Sequence, residues 1–310
     1  MALQGNFHSG YANPASILVA TDLTEMDRLF PIALEQAQET GAQLLLLHVL
    51  TAATAITVDP AGLPYYDPAS AVQFAEAALL PYCIKARAAG VECNSVIREG
   101  SAPQQIENAI RKLQADRLVM GTRSRGKLGK LLIGSVAEQV LRSVNIPVIT
   151  VGPEAHPTEA GTRRSVLLAT SLREASRPCA ALACEIARCH QAHLIVMHVL
   201  RDFELDTDRK QIEQQLSSLV PEEMICNCTA ETFVTSGNPA IEILAKASES
   251  NTSLIVLSAA DRSALQNMAS DGTIYRVLAH ARCPVMSLRQ CNLTEADNNR
   301  QNLVAHSAGN

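Results

Sequence analysis

The chain of 310 residues is mildly acidic, with a formal net charge of −5, and 47% of its residues are hydrophobic. Nucleic-acid binding uses stacked aromatic rings and a broad basic field, so five Phe, five Tyr and no Trp in an acidic chain argue against such a partner. The apolar runs are strand-sized and shorter than the roughly 18 residues that span a bilayer, so no membrane insertion is expected.

The amino terminus, MALQGNFHSGYAN, has neither a basic start nor an apolar signal core, and nothing in it directs export. Nine cysteines without paired spacing are typical of reduced, buried thiols. A cytoplasmic location is therefore expected. Residues 1–13 and the polar stretch 291–310 are predicted to be flexible tails.

Strand-like and helix-like segments alternate along the first half of the chain. Near-continuous apolar runs such as 44-LLLLHV-49 are typical of parallel strands that are buried on both faces. A helix is predicted over residues 25–41, because apolar side chains recur there at helical spacing before Gly41. This alternation predicts a doubly wound, three-layer α/β fold. The predicted strands are Ile17–Thr21, Leu44–Val49, Val91–Arg98, Arg117–Gly121 and Pro147–Val151.

The same segments return in the same order in the second half of the chain. The run 17-ILVATDLT-24 reappears as 166-VLLATSLR-173, and 41-GAQLLLLHVL-50 reappears as 191-QAHLIVMHVL-200. These repeats predict two domains, residues 14–152 and 164–290, joined by an exposed linker that is rich in Gly, Pro and Thr.

The last strand of each repeat, 146-IPVITV-151 or 283-CPVMSL-288, is expected to form an apolar sheet edge. Uncovered sheet edges invite pairing with another strand. We therefore expect the two domains to pack within one chain as pseudo-symmetric partners, a pseudo-dimer. A homodimer of whole chains, in addition to this pairing, stays open.

The stretch 121-GTRSRGKLGKLLIGS-135 follows the fourth predicted strand, and ligands of doubly wound sheets bind beyond such strand ends. Its front fits the phosphate-binding motif G-x-x-x-x-G-K-[ST], but Leu128 stands where that motif needs a hydroxyl for Mg²⁺. Gly129 is also a poor helix start, whereas Ser135 is a good N-cap and Glu138 completes a capping box. A longer cradle is therefore the favoured interpretation.

The longer cradle is predicted to bind an anion. Gly121 allows a tight turn, Gly134 allows a ligand to approach the backbone, and the N–H groups after Gly134 are left unpaired. No acidic residue occurs from Gly121 to Ala137, and an exposed basic loop before an ordinary helix is the alternative. The basic side chains of the cradle are Arg123, Arg125, Lys127 and Lys130.

The pattern Gly121-x2-Ser124-x9-Gly134-Ser135, between a strand and a helix, resembles the nucleotide loop of the universal stress protein family. That family has glycine, two residues, glycine, nine residues, then glycine and Ser or Thr, so Ser124 departs from it. The run 17-ILVATDLT-24 also resembles the family's first strand, and the resemblance covers both halves. It implies two repeated three-layer α/β/α domains, each with a five-stranded parallel sheet of the doubly wound, adenine nucleotide alpha hydrolase-like type.

The resemblance further implies a cytoplasmic regulatory protein of the stress response that binds an adenine nucleotide, ATP or AMP, with or without Mg²⁺. The implied nucleotide-binding residues are Ala20, Asp22, Val49, Met120, Gly121, Arg123, Ser124, Gly134, Ser135 and Val136. The first three would lie near adenine and ribose. Met120, Gly121 and Arg123 would lie near ribose and phosphates, and the last three at the phosphates.

Two other functions stay open: an interaction or scaffold protein of the same fold that binds no nucleotide, and a very slow ATP hydrolase. Turnover needs a metal ligand and a residue that orients water. The loop has no acid, and Ser135 alone is a weak Mg²⁺ anchor, so no catalytic or metal-binding residue is predicted. A zinc site of Cys226 and Cys228 with His190 or His193 is a weaker alternative to dispersed thiols.

Structural roles are the alternatives for three further residues. Asp22 is a good N-cap for a helix that is expected to begin near residues 23–25. His48 and His198 hold equivalent places in apolar strands and are expected to be core or strand-end residues rather than catalytic bases.

Nucleotide is expected in the first domain alone. Aligning the repeats through their Val-Leu helices sets Gly121 against Ser258 and residues 134–135 against Asp271 and Gly272. A shift of one residue would instead use Gly272 and Thr273. An aspartate at a helix N-terminus would repel a phosphate about 4 Å away by roughly 4 kcal/mol at an effective dielectric near 20.

Overall fold

The structure is a computed structural model, and it describes residues 11–52, 56–58, 61–62, 64–122, 133–158, 162, 164–173, 176–200, 209–220, 229–258 and 272–289. None of the helices in these ranges is long and apolar enough to cross a membrane.

The strands in the described ranges are β1 (Ser16–Thr21), β2 (Gln43–Leu50), β3 (Ile56–Val58), β4 (Pro64–Tyr66), β5 (Cys93–Glu99), β6 (Arg117–Gly121), β7 (Val148–Val151), β8 (Ser165–Ala169), β9 (His193–Leu200), β10 (Ala230–Ser236), β11 (Leu254–Ser258) and β12 (Val285–Leu288). The helices are α1 (Met26–Thr40), α2 (Pro68–Ala88), α3 (Ala102–Lys112), α4 (Ser135–Ser143), α5 (Arg177–Cys189), α6 (Arg209–Ser218), α7 (Pro239–Glu249) and α8 (Thr273–His280).

The described strands, apart from the β3–β4 hairpin, form one ten-stranded sheet in the order β10-β9-β8-β11-β12-β7-β6-β1-β2-β5. Each half contributes five parallel strands, as predicted. Helices α1, α2, α5 and α6 pack on one face, and α3, α4, α7 and α8 pack on the other. The predicted three-layer, doubly wound fold is therefore confirmed.

Helix α1 illustrates why the apolar pattern predicts this fold. Its inward side chains Leu29, Ile32 and Ala37 are at most 2% exposed, and they recur at helical spacing. Gly41 follows the helix with φ of 70°, a left-handed conformation that favours glycine. Strand β1 is buried along its whole length, as a central parallel strand covered on both faces must be.

The two halves meet at β7 and β12, which pair in antiparallel orientation with Val285 opposite Thr150. The Thr150 hydroxyl donates to the Val285 carbonyl across this seam at 3.0 Å. The sequence predicts that these two strands pair, and in the structure they are hydrogen-bonded neighbours. The seam is also crowded beyond the strand ends, because a Cβ at Gly152 would lie 2.4 Å from the Leu278 carbonyl oxygen.

A buried arginine anchors the start of the described chain. Arg117 is 1% exposed, and its guanidinium donates to the Gln36 side chain at 2.7 Å and to the Tyr11 and Ala12 carbonyls at 2.9 and 3.2 Å. Residues 11 and 12, which the sequence assigns to the first tail, are thus held against the core. Residues 1–10 and 291–310 lie outside the described ranges.

A second polar cluster joins the two halves of the chain. Arg164, just before β8, forms ion pairs with Glu35 and Glu39 of α1, the first at 2.9 Å. His190, which ends α5, lies with its Nδ1 3.8 Å from a Glu39 carboxylate oxygen. Burial, together with the positive charges of Arg164 and Arg117, nevertheless lowers the pKa of His190 from 6.5 to about 4.

We expect acid to destabilise the fold through His190. Between pH 6.5 and about 4 this histidine is charged in the unfolded chain and neutral in the folded protein, so the unfolded state binds more protons. The free energy of unfolding should therefore fall as the pH drops through that window. Urea unfolding at a series of pH values measures this slope. His190→Gln should flatten it, and an unchanged slope in that variant would contradict the assignment.

Candidate functional site

A cavity of about 300 Å³ opens at the carboxyl ends of β1, β2 and β6. From β1, the chain crosses to β2 on one side and later to β6 on the other, so the direction of winding reverses between β1 and β6. Doubly wound sheets bind their ligands at such a reversal. The cavity therefore occupies the position that the fold itself makes available.

Eight of the ten residues that the resemblance implies line this cavity. The strand register explains why, since Ala20 of β1 lies beside both Leu47 of β2 and Met120 of β6. The eight are Ala20, Asp22, Val49, Met120, Gly121, Gly134, Ser135 and Val136. The other two, Arg123 and Ser124, lie outside the described residues, as do Arg125, Lys127 and Lys130.

Helix α4 points its first turn at the cavity, but it begins differently from the prediction. The N-cap is Gly134, with φ of −63° and ψ of 146°, and Ser135 is the first helical residue. Glu138 does not close a capping box and instead pairs with Arg142 one turn later at 2.6 Å. The Ser135 side chain is exposed at the helix start and belongs to the cavity lining.

The two ends of the intervening loop are tied together. The Gly134 N–H donates to the Thr122 carbonyl at 2.9 Å, and the Thr122 N–H donates to the Val151 carbonyl at 3.3 Å. The hydrogen bond from Gly134 to Thr122 holds Gly134 in the extended conformation before the helix. This explains why the N-cap is Gly134 rather than Ser135. The first-turn N–H groups of a helix have no intrahelical acceptor, so α4 presents them at the cavity.

Asp22 caps a local turn rather than helix α1. Its carboxylate accepts from the Thr24 N–H at 2.9 Å and from the Thr24 hydroxyl at 2.7 Å. The helix begins later, with Glu25 at its N-cap, so the alternative role of Asp22 as the N-cap of this helix is wrong. Leu23, which lies between Asp22 and Thr24, has φ of 73°, a strained conformation for a residue with a side chain.

Glu25 is a cavity residue that no sequence motif singles out. It is 7% exposed, forms an ion pair with Arg28, and lies so close to Gly121 that a Cβ there would be 2.1 Å from its carboxylate oxygen. Gly121 does not have a positive φ, so it is needed for this close approach and not for a tight turn. An acidic residue three positions after Asp22 was the available sequence signal.

His48 and His198 hold equivalent positions and make the same contact. Each is at most 6% exposed and donates from Nδ1 to a threonine carbonyl, Thr21 at 2.9 Å and Thr170 at 2.8 Å. A carbonyl only accepts, so the proton lies on Nδ1. Both histidines are therefore buried strand-end residues that fix the turn after β1 or β8.

The described cysteines are thiols, and most of them are buried. Burial raises the pKa of Cys179 to about 11 and that of Cys283 to about 12, so both stay protonated at neutral pH. Among the described residues, no three His, Cys, Asp or Glu side chains are grouped as metal ligands. Cys226 and Cys228 of the alternative zinc site lie outside them.

The second half begins its last helix in the same way as the first. Helix α8 has Gly272 at its N-cap, with φ of −68° and ψ of 145°, and Thr273 as its first residue. Gly272 and Thr273 therefore match Gly134 and Ser135, which corrects the principal alignment in favour of the shift by one residue. Asp271 lies outside the described residues.

A larger and more open groove of about 660 Å³ lies at the amino ends of β1, β2 and β5. Among its described lining residues, Glu92 carries the only charge. The opposite end of the sheet, with its helix N-terminus and carboxylates, is the better candidate site, although its cavity is smaller.

Comparison with known proteins gives the same family for both halves. The model of the universal stress protein family matches residues 15–152 and 162–289. A universal stress protein from Thermus aquaticus is 30% identical over 143 residues, which are 44% of this chain and 97% of that protein. One from Methanocaldococcus jannaschii is 37% identical over 62 residues, 20% of this chain and 36% of that protein.

Comparison with solved structures supports the fold over nearly the whole chain. A universal stress protein from Archaeoglobus fulgidus superposes with a TM-score of 0.72 and 21% identity, covering 91% of this chain and 98% of that chain. With the family model matched in each half, the chain belongs to the universal stress protein family.

Proposed function

We propose that this protein is a cytoplasmic regulatory protein of the stress response that binds one adenine nucleotide, ATP or AMP, in the first half. The observation that carries the proposal is the cavity at the reversal between β1 and β6, lined by eight of the ten residues that the family resemblance implies. Its volume of about 300 Å³ is at the lower end of the range of small-molecule sites, about 300–1,000 Å³.

The lining suits the separate parts of a nucleotide. Ala20, Val49 and Met120 offer small apolar surfaces against which a purine ring packs. The carboxylates of Asp22 and Glu25 accept hydrogen bonds, so ribose hydroxyl donors suit them and phosphates, which carry like charge, do not. These groups therefore favour a nucleoside end at β1 and leave the phosphates for the loop and α4.

The phosphates are assigned to the first turn of α4. Unpaired N–H groups and the helix dipole make a helix N-terminus an anion site. Gly134 lets a ligand approach the backbone, and the exposed Ser135 hydroxyl adds a donor. The basic residues of 123–130 supply counter-charge from the loop that Thr122 and Gly134 close.

The proposal includes no catalytic cycle. The His48 ring is oriented by its bond to Thr21, and the Glu25 carboxylate is paired with Arg28. Binding and release of the nucleotide, rather than its turnover, is the activity that this lining supports.

The second half is proposed to bind no nucleotide and to complete the ten-stranded sheet. Its helix start matches that of α4, so the differences lie in the strand ends and in the segment that leads to the helix. Ser258 stands at the place of Gly121 and Ser171 at the place of Asp22. The segment 259–271 has Arg262 as its only basic residue and contains two aspartates.

Replacing Arg123, Arg125 and Lys127 together with Ala should weaken ATP binding and leave the fold intact. Each charge-assisted contact that is lost should cost on the order of 1–3 kcal/mol. Calorimetric titration measures the change, and circular dichroism checks the fold. The same substitutions should affect AMP less, because it has fewer phosphate oxygens. Unchanged affinity for ATP would mean that the loop charges only face solvent.

Mass spectrometry of nucleotide that is released from the purified, then denatured, protein tests the proposed function. ATP or AMP is expected at up to one equivalent per chain, and it should be absent from a Gly134→Asp preparation. If neither nucleotide is released and neither binds when added, the interaction or scaffold function replaces the proposal.

A further inference from the structure

Helix α2 carries an apolar outer face that no described part of the chain covers. Four of the five large hydrophobic side chains that are exposed in the described ranges belong to α2 or to the hairpin before it. Phe74 is 71% exposed, Leu80 54% and Ile84 56%. We define the α2 outer face as the exposed residues Phe74, Ala77, Leu80, Pro81, Ile84 and Ala88.

This face lies opposite the side by which α2 packs on the sheet. The inward residues Ala75, Leu79, Cys83 and Ala86 are at most 3% exposed and contact the core. A helix that is apolar on both sides is typical of a buried helix. The α2 outer face therefore has the composition of an interface.

The equivalent helix of the second half provides an internal comparison. Helix α6 lies between β9 and β10 as α2 lies between β2 and β5, and it buries Ile212 and Leu216. Its exposed residues are all polar or charged: Arg209, Lys210, Gln211, Gln214, Gln215, Ser217 and Ser218. Among the described residues, the helix at this place therefore carries an exposed apolar face in the first half and not in the second.

The charges beside the α2 outer face indicate what covers it. Glu76 and Arg87 are both exposed, and because they are 11 residues apart they lie on one flank of the helix, within about 20° of each other. One nitrogen of the Arg87 guanidinium donates to the Cys93 carbonyl at 2.5 Å and to the Asn94 side chain at 3.3 Å, which holds the exposed guanidinium beside β5. On this flank the acid lies near the middle of α2 and the base near its carboxyl end. A second copy of the helix in antiparallel orientation can therefore place its base opposite this acid and its acid opposite this base.

We propose that two copies of this chain associate through their α2 outer faces, with the helices antiparallel about a two-fold axis at the level of Tyr82. In an isologous interface residue i meets residue j of the partner and j meets i. That axis sets Leu80 of one copy against Ile84 of the other. It also sets Glu76 against Arg87, so the apolar contact is flanked by two ion pairs.

Light scattering coupled to size-exclusion chromatography, over a range of concentrations, tests this association on the full chain. The wild-type protein should be a dimer that dissociates on dilution. Leu80→Asp combined with Ile84→Asp should raise the dissociation constant by about 30-fold or more, as loss of interface hot spots does. The matched control is Ile241→Asp on α7, where an equally exposed residue of the second half should leave the dimer unchanged.

Charge reversal separates this geometry from a general loss of solubility or fold. Glu76→Arg alone and Arg87→Glu alone should each weaken the dimer, and the double variant should restore it. Circular dichroism confirms that the variants are folded. A wild-type protein that is monomeric at every concentration overturns the proposal and leaves a different protein as the partner of this face. A dimer that survives Leu80→Asp with Ile84→Asp overturns it as well.

Discussion

Gly134→Asp is expected to abolish adenine-nucleotide binding while the protein stays folded. Gly134 is the N-cap of α4, with φ of −63° and ψ of 146°, a conformation that aspartate adopts well. A carboxylate there would occupy the positive end of the helix itself. It would also repel a phosphate at about 4 Å by roughly 4 kcal/mol at an effective dielectric near 20, a loss of about a thousandfold in affinity.

Gly134→Asn is the matched control for this substitution. Asparagine has nearly the same size and also caps helices, so the difference between the two variants isolates the charge. Asp271→Ala in the second half should leave nucleotide binding unchanged. Calorimetry measures the affinities, and equal affinities for the Asp and Asn variants would contradict a phosphate at α4.

Gly152→Val is expected to destabilise the junction between the two halves. A Cβ at this position would lie 2.4 Å from the Leu278 carbonyl oxygen, which is backbone of α8 and cannot swing aside. The strand pair β7–β12 or the end of α8 would have to shift. Overpacking of this kind costs about 1–3 kcal/mol, which urea unfolding measures.

Gly272→Ala serves as the control for Gly152→Val. A Cβ at Gly272 would meet the nearest atom, in the Tyr275 ring, at 3.8 Å, an ordinary contact. Gly272→Ala should lower the free energy of unfolding only because alanine is a weaker N-cap for α8 than glycine. This loss should stay well below the loss caused by Gly152→Val. Equal losses in both variants would mean that the seam tolerates displacement.

The fold could be predicted from local patterns because the sheet is buried on both faces. Strand β6 was predicted with its observed bounds, and α1 ends at Gly41 as expected. In both cases the signal is local in the sequence. For β6 it is an apolar run typical of a central strand, and for α1 it is a helical spacing of apolar residues that stops at a glycine. The second copy of each pattern made the duplication visible.

The contacts that the sequence did not predict depend on residues far apart in the chain. Ser135 has the better intrinsic N-cap propensity, yet the bond from Gly134 to Thr122 places the cap one residue earlier. Glu25 enters the cavity because Gly121, in a strand distant along the chain, leaves room for it. Arg117 begins an apolar strand with a charge, and only the fold shows to which carbonyls it donates.

Calorimetric titration of the full-length chain with ATP, and separately with AMP, tests the central claim most directly. The site between β1 and β6 predicts one bound nucleotide per chain, with binding lost in Gly134→Asp and retained in Asp271→Ala. Two equivalent sites per chain, or no binding of either nucleotide, would contradict the account.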